Sequence, residues 1–256
     1  MSGSVVGIIV LACTFGGALI GLFLRKALPG HHLDSDSRDT IKVSMGLIAT
    51  MTALLLGLVT ASAKSSFDAM DTTVKQAAIQ ILTLDRLLAR YGPETNEIRQ
   101  GLKQGVGARV DRIWPQDSSS KPVSVNPMPS GSAPMAERLT DEIRSLKAKD
   151  DAQRALQSRA VDTAESLLQA RWMVLAGAEN SIPLPFLVIL VFWLTIVFVS
   201  FGLFAPRNAT VIAALFVCSA SVAAAIFLVL EMESPLTGFI QVSSDPLRYA
   251  LLALGK

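Results

Sequence analysis

The chain has 256 residues, 51% of them hydrophobic and only 17% charged, with a mean hydropathy of +0.46. That is too apolar for an ordinary soluble domain of this length. The net charge of +2 argues against a nucleic-acid footprint. Two cysteines, Cys13 and Cys218, each lie inside an apolar run. They read as buried thiols, not as a disulfide framework or a zinc site.

The apolar residues are gathered into four runs. Val5 to Leu24 is the first, uncharged and long enough to span a bilayer. A signal peptide would carry a positive n-region and a small-residue cleavage site. Here Met1 to Ser4 is uncharged in its side chains and Arg25-Lys26 follows the run, so a retained span is expected. Gly17 and Gly21 form a GxxxG pair, which permits close helix approach. Arg25 to Thr40 is a polar hairpin. Its His31, His32, Asp34 and Asp36 read as a solvated loop, because adjacent loop histidines have no fixed ligand geometry and no second cluster completes a site. No metal or cofactor is expected.

Ile41 to Tyr91 is the stretch around which the chain is organised. A second span, 41–63, runs without a breaker into a polar amphipathic helix that stops at Gly92-Pro93. Gly46, Thr50, Ala53, Gly57, Thr60, Lys64, Asp68, Asp71 and Lys75 recur every three or four residues, so they share one helix face. Such a stripe in lipid either packs closely on another helix or lines water.

After Gly92-Pro93, Ile98, Leu102, Val106, Val110 and Ile113 mark a second amphipathic helix ending at Pro115. Residues 115–134, rich in Pro and Ser, read as a mobile linker. Met135 to Gly177 reads as one further helix, and Gly177, Asn180 and Pro183 mark the return to lipid. Leu184 to Phe204 and Ala209 to Leu230 are the third and fourth spans, joined by Ala205-Pro206-Arg207-Asn208. Thr210, Ala214, Val217, Ser221 and Ala225 make a small-residue face on the fourth span, expected to meet the stripe of the second. In the tail, 232–256, Leu247, Ala250, Leu251 and Leu254 form the apolar face of a short helix suited to the membrane interface or a neighbouring subunit.

The expectation is an all-α, four-span transmembrane protein with an extramembrane helical bundle between spans 2 and 3. Its parts are a transmembrane hairpin (1–63), the helical domain (64–182), a second hairpin (183–231) and the interfacial tail. The short loops hold Arg25, Lys26, Arg38, Lys42 and Arg207; the opposite flanks hold Lys64 and Arg171 close to the spans. The positive-inside count therefore puts the short loops in the cytoplasm and the helical domain in the periplasm of a bacterial inner membrane.

Two stretches carry a family resemblance: HHLDSDSRDTIKVSMGLIATMTALLLGLVTASAKSSFD, from His31 to Asp68, and FGLFAPRNATVIAALFVCSASVAAAIFLVLEMESPLTGFIQVSSDPLR, from Phe201 to Arg248. With the span order, they resemble the bacterial bestrophin-like membrane proteins and, distantly, the bestrophins. The resemblance implies a homo-oligomer, a pentamer in the bestrophins, that conducts inorganic anions such as chloride through a pore lined by span 2. It also implies a cytoplasmic helical domain, opposite to the charge count. Bestrophin pores narrow at aromatic residues, of which this second span has none between Ile41 and Ser66.

The pore-lining residues expected on that basis are Gly46, Thr50, Ala53, Gly57, Thr60 and Lys64. Lys64 would set a ring of positive charge at the mouth. The alternative is a membrane-anchored interaction or sensor module without conductance, in which the same small residues only let helices touch. An enzyme is not expected. The spans hold no ionisable residue between their ends, and the polar segments show no nucleophile or phosphate-binding motif.

Overall fold

The computed structural model describes residues 3–27, 35–115, 135–177, 184–236 and 238–255. The hairpin loop with His31, His32 and Asp34, the linker from 116 onward, and the approach to the third span at 178–183 lie outside the described residues. Eight α-helices are described: α1 (Gly3–Ala27), α2 (Ser35–Tyr91), α3 (Asn96–Ile113), α4 (Met135–Ser145), α5 (Asp151–Gly177), α6 (Leu184–Phe204), α7 (Ala209–Met232) and α8 (Asp245–Ala253). Four are long and apolar enough to cross a membrane: α1, α2, α6 and α7. At 1.5 Å per residue α2 is about 85 Å long, and it contributes residues to both of the compact units into which the chain divides.

The first unit, Met1–Ser65 with Ser181–Glu233, holds the apolar helices. Val6, Val10, Leu190, Leu194, Ala223 and Ile226 form its core, with Leu55 and Leu56 of α2 packed against them. The closest backbone approach joins α1 to α6. A Cβ on Gly21 would lie 2.0 Å from the Val199 carbonyl oxygen, and one on Gly202 would lie 2.0 Å from that of Ala18. Each helix thus presents a glycine where the other's backbone passes, and the Gly17–Gly21 pair meets α6. Phe15 of α1 meets Phe216 of α7 edge to face, with centroids 5.3 Å apart.

Two arginines tie the ends of these helices together. Arg25 donates to the Ala205 carbonyl, and Arg207 donates to the Leu22 carbonyl through Nε at 3.2 Å and through its terminal nitrogen. The Ala205 carbonyl lies just past the C-terminus of α6, where no further turn supplies a donor, and the Leu22 carbonyl, in the last turns of α1, gains a charged donor at the negative end of the helix. Arg207→Ala should therefore lower the stability of the purified protein by about 1.5–3 kcal/mol, the range for hydrogen bonds from charged groups. The thermal midpoint in detergent reads this; an unchanged midpoint would show the clasp to be idle.

Several expectations for the apolar helices do not hold. Thr210, Ala214, Val217, Ser221 and Ala225 are all exposed, so that face meets no stripe within the subunit. The larger Ile226 and Val229, with Ser219 and Ala223, set the inward face of α7 instead. Cys13 is only half-buried and Cys218 is exposed.

The second unit, Ser66–Asn180 with Ser234–Lys256, is a helical bundle. Leu84, Leu88, Leu102, Ile143, Ala164 and Leu254 are among its buried residues. The expected face of α3 is the buried one, through Ile98, Leu102, Val106 and Val110. Gly92 turns the chain at φ 140°, a conformation favouring glycine. The next turn is closed by Thr95, whose hydroxyl donates to the Leu88 carbonyl at 2.6 Å.

The helix read over Met135 to Gly177 is two helices, broken at 146–150. Side chains make the break stable. Gln157 donates to the Ile143 and Leu146 carbonyls at 2.8 and 2.9 Å, and Asp150 accepts from the Gln153 amide at 2.7 Å. Lys149 pairs with Glu94. The hydrogen bond holds the Glu94 carboxyl below its usual range and the Lys149 ammonium above its own.

The tail read as interfacial joins this core instead. Leu236, Val242, Ala250 and Leu254 are buried in it. Trp114 donates from Nε1 to the Val242 carbonyl at 2.9 Å, and Arg248 donates to the Trp114 carbonyl at 3.1 Å. The apolar face of α8 is the one expected; its partner is the bundle.

Candidate pore-lining face of the second span

The second span is the least enclosed of the four. Only 6% of its apolar window is buried within the subunit, against 33% for α1 and α6. Its buried positions are Thr52 and Ala63, with Leu55 and Leu56 half-buried beside them. At 100° per residue, the stripe is centred roughly 120–130° around the helix from this inward face. Gly46, Thr50, Ala53, Gly57 and Lys64 are exposed, and Thr60 is half-buried. A Cβ added at Gly46 or Gly57 would meet nothing within 4 Å. The stripe is therefore not a packing surface inside the subunit.

A third face, not foreseen from the sequence, carries Val43, Leu47, Leu54 and Leu58, exposed by 65–76%. These large apolar side chains suit lipid or another protein surface, whereas the small stripe suits close approach or water. The signal was present as a leucine row one position out of register with the stripe. It was indistinguishable from a lipid-facing surface without knowing which face turns inward.

The chemistry of the stripe is set by its hydroxyls and charges. Thr50 donates to the Gly46 carbonyl at 2.9 Å and Thr60 to that of Leu56 at 2.7 Å. Each hydroxyl hydrogen is thus spent on the helix, and each threonine presents oxygen lone pairs outward. Further along, Lys75 pairs with Asp71 at 2.6 Å, one turn apart. Lys64 and Asp68 each hold a partner as well. Lys64 is exposed on the stripe.

Together these features define an all-α membrane protein with four apolar helices and a helical bundle, whose second span keeps two of its three faces open. The chain belongs to the Bestrophin-like family: residues 12–247 match the model of the Bestrophin-like domain. Its fold is similar to the crystal structure of a mutant bacterial bestrophin homologue from Klebsiella pneumoniae. The two share 15% identity over 96% of this chain and 97% of that one, with a TM-score of 0.66. Among curated proteins no match is found.

Proposed function

We propose that the protein is a homo-oligomeric ion channel of a bacterial inner membrane, selective for inorganic anions such as chloride, with span 2 as the pore wall. The observation that carries this reading is the stripe from Gly46 to Lys64, exposed in its own subunit at every position but the half-buried Thr60. An apolar helix so little enclosed is completed by other copies or by lipid. Leucines tolerate both, whereas exposed backbone at Gly46 and Gly57 and outward threonine oxygens favour water. Family membership supports a channel, and the resemblance to bestrophins supports five copies around one axis.

Anion preference in this reading rests on Lys64. The hydroxyls of Thr50 and Thr60 face outward as acceptors, so an anion would pass them with its water shell intact. Orientation has two opposed supports, the positive-inside count for a periplasmic bundle and the family resemblance for a cytoplasmic one. Arg25 and Arg207 anchor helix ends, a structural duty that lowers their weight in the count. Alkaline phosphatase fused after Lys256 is active if the charge count governs and silent if the resemblance does.

The test is chloride flux through purified protein in liposomes. Gly57→Trp should block flux, and Lys64→Glu should shift permeation towards cations by roughly ten-fold, as reversing a ring of charge at a pore mouth does to ion concentration. No flux from folded, oligomeric wild type under varied pH, Ca²⁺ and voltage would overturn the channel and favour a membrane-anchored interaction module.

A further inference from the structure

The helical unit holds a cavity of about 190 Å³, open to solvent on one side. Val74 and Ile81 of α2, Leu102 and Val110 of α3, Leu139 of α4 and Leu236 of the C-terminal segment wall it, and all six are buried. Apolar cavities of about 150 Å³ stay dry and bind benzene, so this one has room for an apolar body of about eight carbons. Its walls offer little to water. Trp114 Nε1 is committed to the Val242 carbonyl at 2.9 Å, and the Thr73 hydroxyl to that of Ala69 at 2.8 Å.

The charged residue on the lining is Arg109. It is exposed, on the solvent side of the lining, and already makes an interaction of its own. A matching guest is apolar through its body, without polar groups along it, and anionic at one end. We propose that this cavity binds a medium-chain monocarboxylate amphiphile, its chain among Val74, Ile81, Leu102 and Val110 and its carboxylate towards Arg109. The site lies wholly within the helical unit and does not depend on the channel reading.

Trp114 lines the cavity and is one of three tryptophans, so it can report locally. With Trp172→Phe and Trp193→Phe, the full chain in nanodiscs is titrated with bromooctanoate, whose bromine quenches an indole on contact. Saturable quenching, reversed by unlabelled octanoate, is the expected result. Ala77→Phe and Ala170→Phe each fill the cavity from a different helix. Either should abolish the saturable component while helical circular dichroism is retained. Arg109→Gln should weaken octanoate roughly ten-fold, the loss of one charge-assisted hydrogen bond, and leave octanol unchanged. Quenching that rises linearly without saturating, or that survives both filling variants, overturns the site. Octanol and octanoate competing equally in the wild-type lining overturns the carboxylate assignment and with it the proposal.

Discussion

Gly202→Ala should open the packed α1–α6 pair and cost at least about 3 kcal/mol, the upper end of overpacking. The added carbon would lie 2.0 Å from the Ala18 carbonyl oxygen and 2.9 Å from the Leu22 nitrogen. A carbon next to a carbonyl oxygen settles at about 3.3–3.6 Å, so the helices must part by more than about 1 Å. Both obstacles are backbone, so no side chain can rotate away. Parting the helices forfeits dispersion along the whole seam, the main attraction between helices in lipid.

Gly21→Ala should behave alike, since its carbon would meet the Val199 carbonyl oxygen at 2.0 Å. Gly16→Ala is the control. Nothing lies within 4 Å of its added carbon, and alanine is the better helix former, so stability should hold or rise slightly. Thermal midpoints of the purified proteins in detergent decide the matter. Equal midpoints for Gly202→Ala and Gly16→Ala would mean that α1 and α6 are not packed as described.

Asp85→Ala should destabilise the helical unit by about 3–5 kcal/mol, the cost of breaking a buried ion pair by removing one partner. Asp85 on α2 is 1% exposed, and Arg99 on α3 is 16% exposed. Arg99 donates from Nε to Oδ1 at 2.7 Å and from a terminal nitrogen to Oδ2 at 3.1 Å. This fork, two parallel bonds from one guanidinium to one carboxylate, is the strong form of the interaction. The hydrogen bonds that Arg99 donates to Asp85 hold its guanidinium above its already high value, and an arginine keeps its charge without a partner. Arg99→Ala should cost a similar amount by stranding the carboxylate.

The informative comparison is Asp85→Leu with Arg99→Met together. Removing both charges removes both desolvation penalties, so the double variant should recover most of the loss. Helical circular dichroism against urea, on the full chain, measures all three. A double variant as unstable as Asp85→Ala alone would show that the pair matters for shape and not for charge.

The sequence by itself determined what depends on local composition. Four apolar runs, without charge between their ends, are stable in lipid as helices, because every backbone group there must be satisfied within its own segment. The length of α2 was legible for a similar reason, since nothing between Ile41 and Tyr91 breaks a helix. So was the apolar face of α3, and so was the stripe from Gly46 to Lys64.

What only the tertiary structure decided depends on partners distant in the chain. The break at 146–150 rests on Gln157 reaching back to Ile143 and Leu146, a preference no window of helix formers reveals. The C-terminal helix had a readable apolar face, yet amphipathicity fits lipid and protein equally, and Trp114 to Val242 chose protein. Arg25 and Arg207 were legible as flanking charges, and only the fold shows that they donate to the Ala205 and Leu22 carbonyls. For the candidate pore face, periodicity gave the residues and could not say which way they point. Packing turned Thr52, Leu56 and Ala63 inward, and the rigid 100° step between residues then carried Gly46 to Lys64 outward.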